Sequence, residues 1–241
     1  MYEDLGADGT VASLASIDSN LYISRDERLS ELAEDLRRSL RTASQDPQFD
    51  SRQFGEDLAR YATWSLDDDQ RRAYEDRFTY VSGANGASIL TYLLSDHRLD
   101  GDLVEGAAVR LHEFEQNLGE DQTRAWYSHT GYSGLTDTDT DSYDDPMAAA
   151  LGNLGDHPEN AYHFLTEDPA RQEYFFEDRN HEADGFAGVT QLAEGLGTDP
   201  RCWRRTRTRR PRSSRASSTA SRPTTPSAST PPNPARRTWR T

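Results

Sequence analysis

The sequence predicts an all-α fold: an irregular multi-helix bundle with a long acidic loop, followed by a disordered C-terminal tail. Apolar side chains recur at steps of three and four through most of the first 200 residues. No segment has the sustained alternation of β-branched residues that is typical of a strand. Prolines stand at three evenly spaced positions, Pro146, Pro158 and Pro169, and proline favours the first turn of a helix.

The first amphipathic helix is predicted over residues 23–44. Ser24, with Glu27 three residues later, forms a capping-box pattern, which predicts Ser24 as the N-cap. Asp46 and Pro47 predict its end, because proline disfavours a helical conformation in the residue before it. The apolar positions that fall on one face are Leu29, Leu32, Ala33, Leu36, Leu40 and Ala43.

Four further helices are predicted before residue 119. The first starts at Ser51, and the second follows the acidic residues from Asp67 and stops at Gly83. Asn85 is the predicted N-cap of the third helix, and Asp102 is that of the fourth. The last two helices carry the most apolar faces, so we expect them at the centre of the core.

Four helices are also predicted in the second half, over residues 146–154, 158–166, 169–177 and about 184–196. Asp145, Asp156 and Asp168 supply the capping oxygens for the first three of them. The residues predicted to be buried in the core of the whole bundle are Leu93, Leu103, Leu111, Leu151 and Phe164.

A long acidic connection, residues 119–144, joins the two halves. Its length of about 25 residues is unusual for a compact domain, and such loops are functional or mobile. The run from Asp137 matches a calcium-binding loop at positions one, three and five, so its candidate metal ligands are Asp137, Asp139 and Asp141. Ser142 replaces the glycine of the sharp turn and Ala148 replaces the bidentate glutamate, so we expect no specific metal site and no cofactor.

Other catalytic patterns are incomplete. His112-Glu113 and His181-Glu182 each begin a zinc motif, but no second histidine follows on the same helical face. The remaining histidines are predicted to be ordinary surface or capping residues. With 42 carboxylates in the chain, a hydrolase that uses a carboxylate pair is neither indicated nor excluded. The sequence therefore predicts no catalytic residue.

The composition changes near residue 200, which divides the chain into a helical domain, 1–199, and a tail, 200–241. The body holds 42 acidic residues against 15 arginines, whereas the tail holds 12 arginines and no acid. A tail without large aliphatic residues cannot offset its ordering entropy, so we expect disorder. The chain has no lysine, which is typical of proteins encoded by GC-rich DNA, where arginine codons displace those of lysine. The composition of the tail is typical of GC-rich DNA that is translated in a shifted reading frame. A natural basic tail that binds nucleic acid is the alternative, which the acidic body opposes.

Nothing in the sequence indicates a membrane or an oxidising compartment. No apolar run approaches the roughly 20 residues that span a bilayer, and Met1 opens onto acidic residues rather than a signal peptide. Cys202 is the single cysteine, so the chain forms no internal disulfide. We expect a protein that is cytoplasmic or exported without a classical signal peptide.

The segment "DPMAAALGNLGDHPENAYHFLTED", from Asp145 to Asp168, resembles the signature of an uncharacterised all-helical family, a domain of unknown function of high-GC Gram-positive bacteria. His157 stands where that family usually has asparagine. "ILTYLLSDHRLDGDLVEGAAVRL" and "YEDLGADGTVASLASI" look like two more of its segments, so the resemblance covers about residues 2–199. The family signature begins upstream of Met1 and stays helical past Pro200. The resemblance therefore implies that this chain lacks the start of the family sequence and departs from that sequence after Pro200.

Members of that family tend to occur in proteins associated with WXG-type secretion and polymorphic toxins, and no catalytic residues are established for them. The resemblance therefore implies a helical scaffold or interaction module with an unknown protein partner. A carboxylate-dependent hydrolase with residues 119–145 as a lid is the first alternative. A nucleic-acid binder that uses the basic tail is the second.

Overall fold

The computed structural model describes residues 2–63, 83–118, 126, 133–136, 144–181 and 186–198. These residues form helices and no strand, which confirms the all-α prediction. The predicted helix after Asp67, the candidate ligands Asp137, Asp139 and Asp141, and the tail 200–241 lie outside the described residues. The helices are α1 Tyr2–Ser24, α2 Glu27–Ser44, α3 Ser51–Thr63, α4 Gly83–Leu94, α5 Gly101–Asn117, α6 Pro146–Leu154, α7 Pro158–Glu167, α8 Pro169–Glu173 and α9 Ala187–Thr198.

Helix α1 was not predicted from the periodicity, although its buried residues do repeat at helical steps. They include Val11, Leu14 and Leu21. Gly6 interrupts the helix with a φ of 67°, a left-handed conformation that glycine adopts without steric cost. The nearby glycines and aspartates hid the apolar face of this segment in the sequence.

The turn between α1 and α2 corrects the predicted N-cap. Ser24 is the last residue of α1, and its hydroxyl donates to the carbonyl oxygen of Asn20 at 2.8 Å. Arg25 has a φ of 50°, which reverses the chain. Asp26 is the N-cap of α2 and accepts from the backbone N–H of Arg28 at 3.0 Å. A carboxylate one residue before the helix therefore takes the role assigned to the serine.

Two further caps differ from the prediction. Helix α4 begins at Gly83, so Asn85 lies within its first turn. Helix α5 is capped by Asp100, which accepts from the backbone N–H of Asp102 at 3.0 Å. The Asp102 carboxylate instead accepts from Asn160 at 2.7 Å and so joins α5 to α7.

The three proline starts are confirmed. Asp145 caps α6 by accepting from Ala148 N–H at 2.9 Å, and Asp168 caps α8 by accepting from Ala170 N–H at 3.0 Å. The predicted cap of α7 is wrong, because the Asp156 carboxylate contacts His97 at 2.7 Å and the N-cap position belongs to His157.

The chain after Asp168 also departs from the predicted single helix. Helix α8 ends at Glu173 and continues as a π-turn, Tyr174–Asp178. The predicted final helix begins at Ala187 rather than near residue 184, and Phe186 before it is exposed with a φ of 65°. The wider π-turn buries two successive aromatic residues, Tyr174 and Phe175.

One apolar core unites the helices. Helix α5 packs along α3 on one side and against α6 on the other, and α6 packs in turn against α9. No helix within the described ranges is long and apolar enough to cross a bilayer. All five predicted core residues are buried: Leu93, Leu103, Leu111, Leu151 and Phe164.

His157 gives the first testable prediction. Its side chain makes no capping hydrogen bond to α7, and its Nε2 atom is buried without a hydrogen-bond partner. Asparagine at this position can accept from an N–H of the first helical turn. We therefore expect His157→Asn to stabilise the protein by about 0.5–2 kcal/mol in urea unfolding. His157→Ala, which offers no oxygen, is the control; an equal gain from alanine would rule out capping as the cause.

Candidate functional site

The fold brings ionisable side chains together at several places in the described structure, among them the Arg41–Asp96–Arg98 group, and two of these places join residues from three or more segments of the chain. The first, here called the buried ion network, lies where the C-terminal half of α5 meets the start of α6. Arg179 is at its centre, and the Arg179 and Glu115 side chains are both 0% exposed. The members of the network are Glu115, Trp126, Asp145, Tyr174, Arg179 and His181.

Arg179 joins two carboxylates. Its Nη2 atom donates to Glu115 Oε1 at 2.8 Å and to both Asp145 oxygens at 2.8 Å. Its Nε atom donates to Glu115 Oε2 at 3.1 Å. Asp145 Oδ1 also caps α6, so the Arg179 guanidinium connects α6 to α5 through charge-assisted hydrogen bonds.

The π-turn positions the donors around Glu115. Arg179 N–H donates to the carbonyl oxygen of Tyr174 at 2.7 Å, which closes the turn and directs both residues toward α5. The Tyr174 hydroxyl donates to Glu115 Oε2 at 2.8 Å, and Trp126 Nε1 donates to Glu115 Oε1 at 2.7 Å. Both oxygens of the Glu115 carboxylate therefore accept hydrogen bonds from side chains of the network.

His181 completes the network on the other side of Arg179. Its Nε2 atom lies 2.8 Å from the carbonyl oxygen of Phe175, and its Nδ1 atom lies 3.2 Å from Arg179 Nη1. A carbonyl only accepts and a guanidinium only donates, so Nε2 carries the proton and Nδ1 accepts.

The electrostatics of the network keep its protons in place. Burial alone would lower the pKa of Arg179, but Asp145 and then Glu115 outweigh that effect and raise it. Burial and the neighbouring Glu115 raise the pKa of Tyr174 well above its ordinary value. A charged arginine and a neutral tyrosine are thus fixed as donors, and the network is suited to holding helices together rather than to proton transfer.

The second place, here called the Glu105 cluster, lies between α3, α5 and α7 and reaches the surface. Its members are Arg52, Glu105, Asn160, His163 and Glu167. The Glu105 side chain is 2% exposed and accepts from Arg52 Nη1 at 2.7 Å. His163 Nδ1 lies 2.5 Å from the same Glu105 oxygen, and Asn160 Nδ2 donates to the other one at 3.0 Å.

Glu167 forms the outer part of this cluster. It lies four residues after His163 on α7, and its carboxylate is 3.4 Å from Arg52 Nη2 and 3.3 Å from Arg171 Nη1. Burial opposes the effect, but these arginines lower the pKa of Glu167. Ligand atoms of Glu105, His163 and Glu167 all lie within 4.8 Å of one another. The cluster thus contains acid–base and metal-ligand groups, and none of its five members is a hydroxyl or thiol nucleophile.

A cleft of about 250 Å³ lies between α4, α6 and α9. Half of its lining consists of small residues of α6 and α9, and the rest comprises Thr91, Ser95, His97, Asp145 and Gln191. The Thr91 hydroxyl on its wall is buried without a hydrogen-bond partner. The polar side chains of Ser95, His97 and Gln191 line the same cleft and are the groups that it offers to a bound segment.

Neither the buried ion network nor the Glu105 cluster was predicted from the sequence. His112 and His181, which begin the incomplete zinc motifs, are buried; His112 packs on Tyr174 with ring centroids 5.3 Å apart. Burial, followed by nearby Arg171, lowers the pKa of His112. His163, predicted to be an ordinary histidine, instead contacts Glu105. The one local signal for that cluster was the spacing of four residues between His163 and Glu167.

Comparison of the chain with protein-family models, with curated proteins and with solved structures gave no match. The described residues form an all-helical domain. The hydrogen bonds and ion pairs of the buried ion network join its helices in the core. The carboxylate and imidazole groups of the Glu105 cluster lie near its surface.

Proposed function

We propose that the helical body is a non-enzymatic interaction module, a scaffold or partner-binding domain of a protein associated with secretion or toxins. The observation that carries this proposal is that the charged groups of the buried ion network pair with one another rather than facing solvent. Arg179, Glu115 and Asp145 satisfy one another, and their side chains are at most 2% exposed. Charged groups in this state stabilise one arrangement of helices, and only Asp145, which lines the neighbouring cleft, borders on a place that another molecule can occupy.

The segments that resemble the toxin-associated family support the same interpretation. Asp145 caps α6, Pro146 occupies its first turn and Met147 is buried in the core. Asn153 Nδ2 donates to the carbonyl oxygens of Leu94 and Asp96, both at 2.9 Å, and so closes the end of α4. Each of these residues of the resembling segment has a role in folding, as expected for a module whose function is binding.

The cleft between α4, α6 and α9 is the surface that we assign to the partner. Small residues of α6 and α9 make up half of its lining, and Ser95, His97 and Gln191 add polar side chains that a partner can contact. Ala149 lines the cleft and is half-buried, whereas Ala193 on α9 is exposed and is not part of the lining. These two alanines provide a matched pair for a test.

The test begins with the tagged full-length chain, cross-linked in its native cells, to recover the bound protein. That protein is then purified, and its dissociation constant is measured by calorimetry against two variants. We expect Ala149→Arg to weaken binding at least tenfold, because the new side chain fills the cleft. Ala193→Arg, with the same change in charge, should leave the dissociation constant within about twofold. Equal dissociation constants for the two variants would remove the cleft from the proposal.

A carboxylate-dependent hydrolase is the second candidate, and one observation favours it: Glu105 and Glu167 lie together at the surface cluster. Paired carboxylates supply an acid and a base in glycoside hydrolysis. A screen of glycoside, ester and phosphoester substrates separates the two proposals. Turnover that is lost in Glu105→Gln but retained in Glu159→Gln, an exposed residue of α7, would establish the hydrolase and overturn the non-enzymatic module.

A further inference from the structure

We propose that the Glu105 cluster binds a divalent transition-metal ion, with Zn²⁺ the first expectation, through Glu105, His163 and Glu167. This site is separate from the cleft assigned to a partner, because it lies between α3, α5 and α7. It does not depend on the proposed function.

The donor set fits this kind of ion. One imidazole nitrogen and two carboxylate oxygens are ligands that Zn²⁺ accepts, with water filling a further position. His163 and Glu167 are four residues apart on α7 and so lie on the same helical face. Glu105 enters from the neighbouring helix, and the three ligand atoms already lie within 4.8 Å of one another. The ligands therefore come from two packed helices rather than from a loop.

The surroundings of Glu105 also suit a ligand. A buried carboxylate is costly unless a cation or hydrogen-bond donors compensate it. Asn160 Nδ2 donates to Glu105 Oε2 at 3.0 Å, which orients the carboxylate and leaves Oε1 toward His163. Metal ligands are commonly held by such outer hydrogen bonds.

Arg52 is the cation that now neutralises Glu105, so a metal ion has to replace it. The Arg52 side chain is 35% exposed, and its Nε atom already lies 3.7 Å from Glu56, four residues later on α3. Rotation toward Glu56 would withdraw Arg52 from both carboxylates, after which Glu167 keeps only Arg171 Nη1, at 3.3 Å, as a neighbouring cation. Arg52 and the metal ion are thus alternative counter-ions for the same two carboxylates.

The experiment titrates the full-length chain with Co²⁺ at pH 7.5, follows the visible absorption of the bound ion, and then displaces it with Zn²⁺. All proteins carry Cys202→Ser, so that the single thiol contributes no ligand. We expect one ion per chain and at least tenfold weaker binding in His163→Ala. The control is His97→Ala, because His97 is also a surface histidine paired with a carboxylate, Asp156 at 2.7 Å, and it should bind as the parent does.

Arg52→Gln provides a second, independent readout. If Arg52 competes with the ion, this variant should bind Co²⁺ several-fold more tightly than the parent, and circular dichroism establishes that it is folded. Parent-like affinity in His163→Ala would overturn the proposal. So would the absence of specific binding in both the parent and Arg52→Gln, since the site is then only an arginine–carboxylate cluster.

Discussion

Replacing Arg179 with methionine is expected to destabilise the protein by about 3–5 kcal/mol, the cost typical of breaking a buried ion pair by removing one partner. Glu115 and Asp145 would remain without their cation, with side chains that are only 0% and 2% exposed. Methionine fills most of the vacated volume, which limits the contribution of a cavity. The free energy of unfolding in urea, followed by far-ultraviolet circular dichroism, measures the effect.

Arg38→Met is the matched control. Arg38 is paired with Asp35 at 2.9 Å, but the two side chains are 57% and 65% exposed. An exposed pair contributes at most about 1 kcal/mol, so this variant should unfold almost as the parent does. Adding Glu115→Gln and Asp145→Asn to Arg179→Met should recover part of the lost stability, because the uncompensated charges are removed. A loss below about 1 kcal/mol in Arg179→Met would contradict the structural role of the network.

Replacing Gly55 with alanine is expected to cost about 1–3 kcal/mol or more, the range for overpacking a well-packed core. A Cβ atom at Gly55 would overlap the backbone carbonyl of Leu103 on the facing helix. Backbone cannot rotate away as a flexible side chain can, so α3 and α5 would have to separate. Thermal and urea unfolding both measure this loss.

Gly197→Ala is the matched glycine control. A Cβ atom there meets nothing within 4 Å, and the residue lies within α9. Alanine in a helix is favoured over glycine by about 0.5–1 kcal/mol, so a neutral or slightly stabilising effect is expected. If Gly55→Ala were tolerated equally well, the close approach of α3 and α5 would be incorrect.

The helices were predictable because their signals are local. Periodicity placed Leu103 and Leu151 in the core, and Asp145 before Pro146 marked the start of α6 correctly. Cap positions were less predictable where several oxygen-bearing residues compete within two or three positions. Asp26 and Asp100 took the roles assigned to Ser24 and Asp102, and only the backbone conformation distinguishes such neighbours.

The ionic groups could not be predicted in the same way, because their members are far apart in the chain. Arg179 lies 34 residues from Asp145 and 64 from Glu115, and His163 lies 58 residues from Glu105. Among 42 acidic residues, no local pattern distinguishes the few that meet a cation in the core. The π-turn that directs Tyr174 and Arg179 inward depends on this tertiary packing, so its sequence resembles an ordinary helix.

Hydrogen exchange of the Arg179 Nε–H, followed by NMR on the full-length chain, tests the central claim most directly. If the buried ion network is sealed and structural, this proton should exchange only when the protein opens, orders of magnitude more slowly than the Nε–H of exposed Arg38. Exchange as fast as that of Arg38 would contradict the account. It would mean that water reaches the Arg179, Glu115 and Asp145 charges, and that they form an accessible site rather than a structural link between helices.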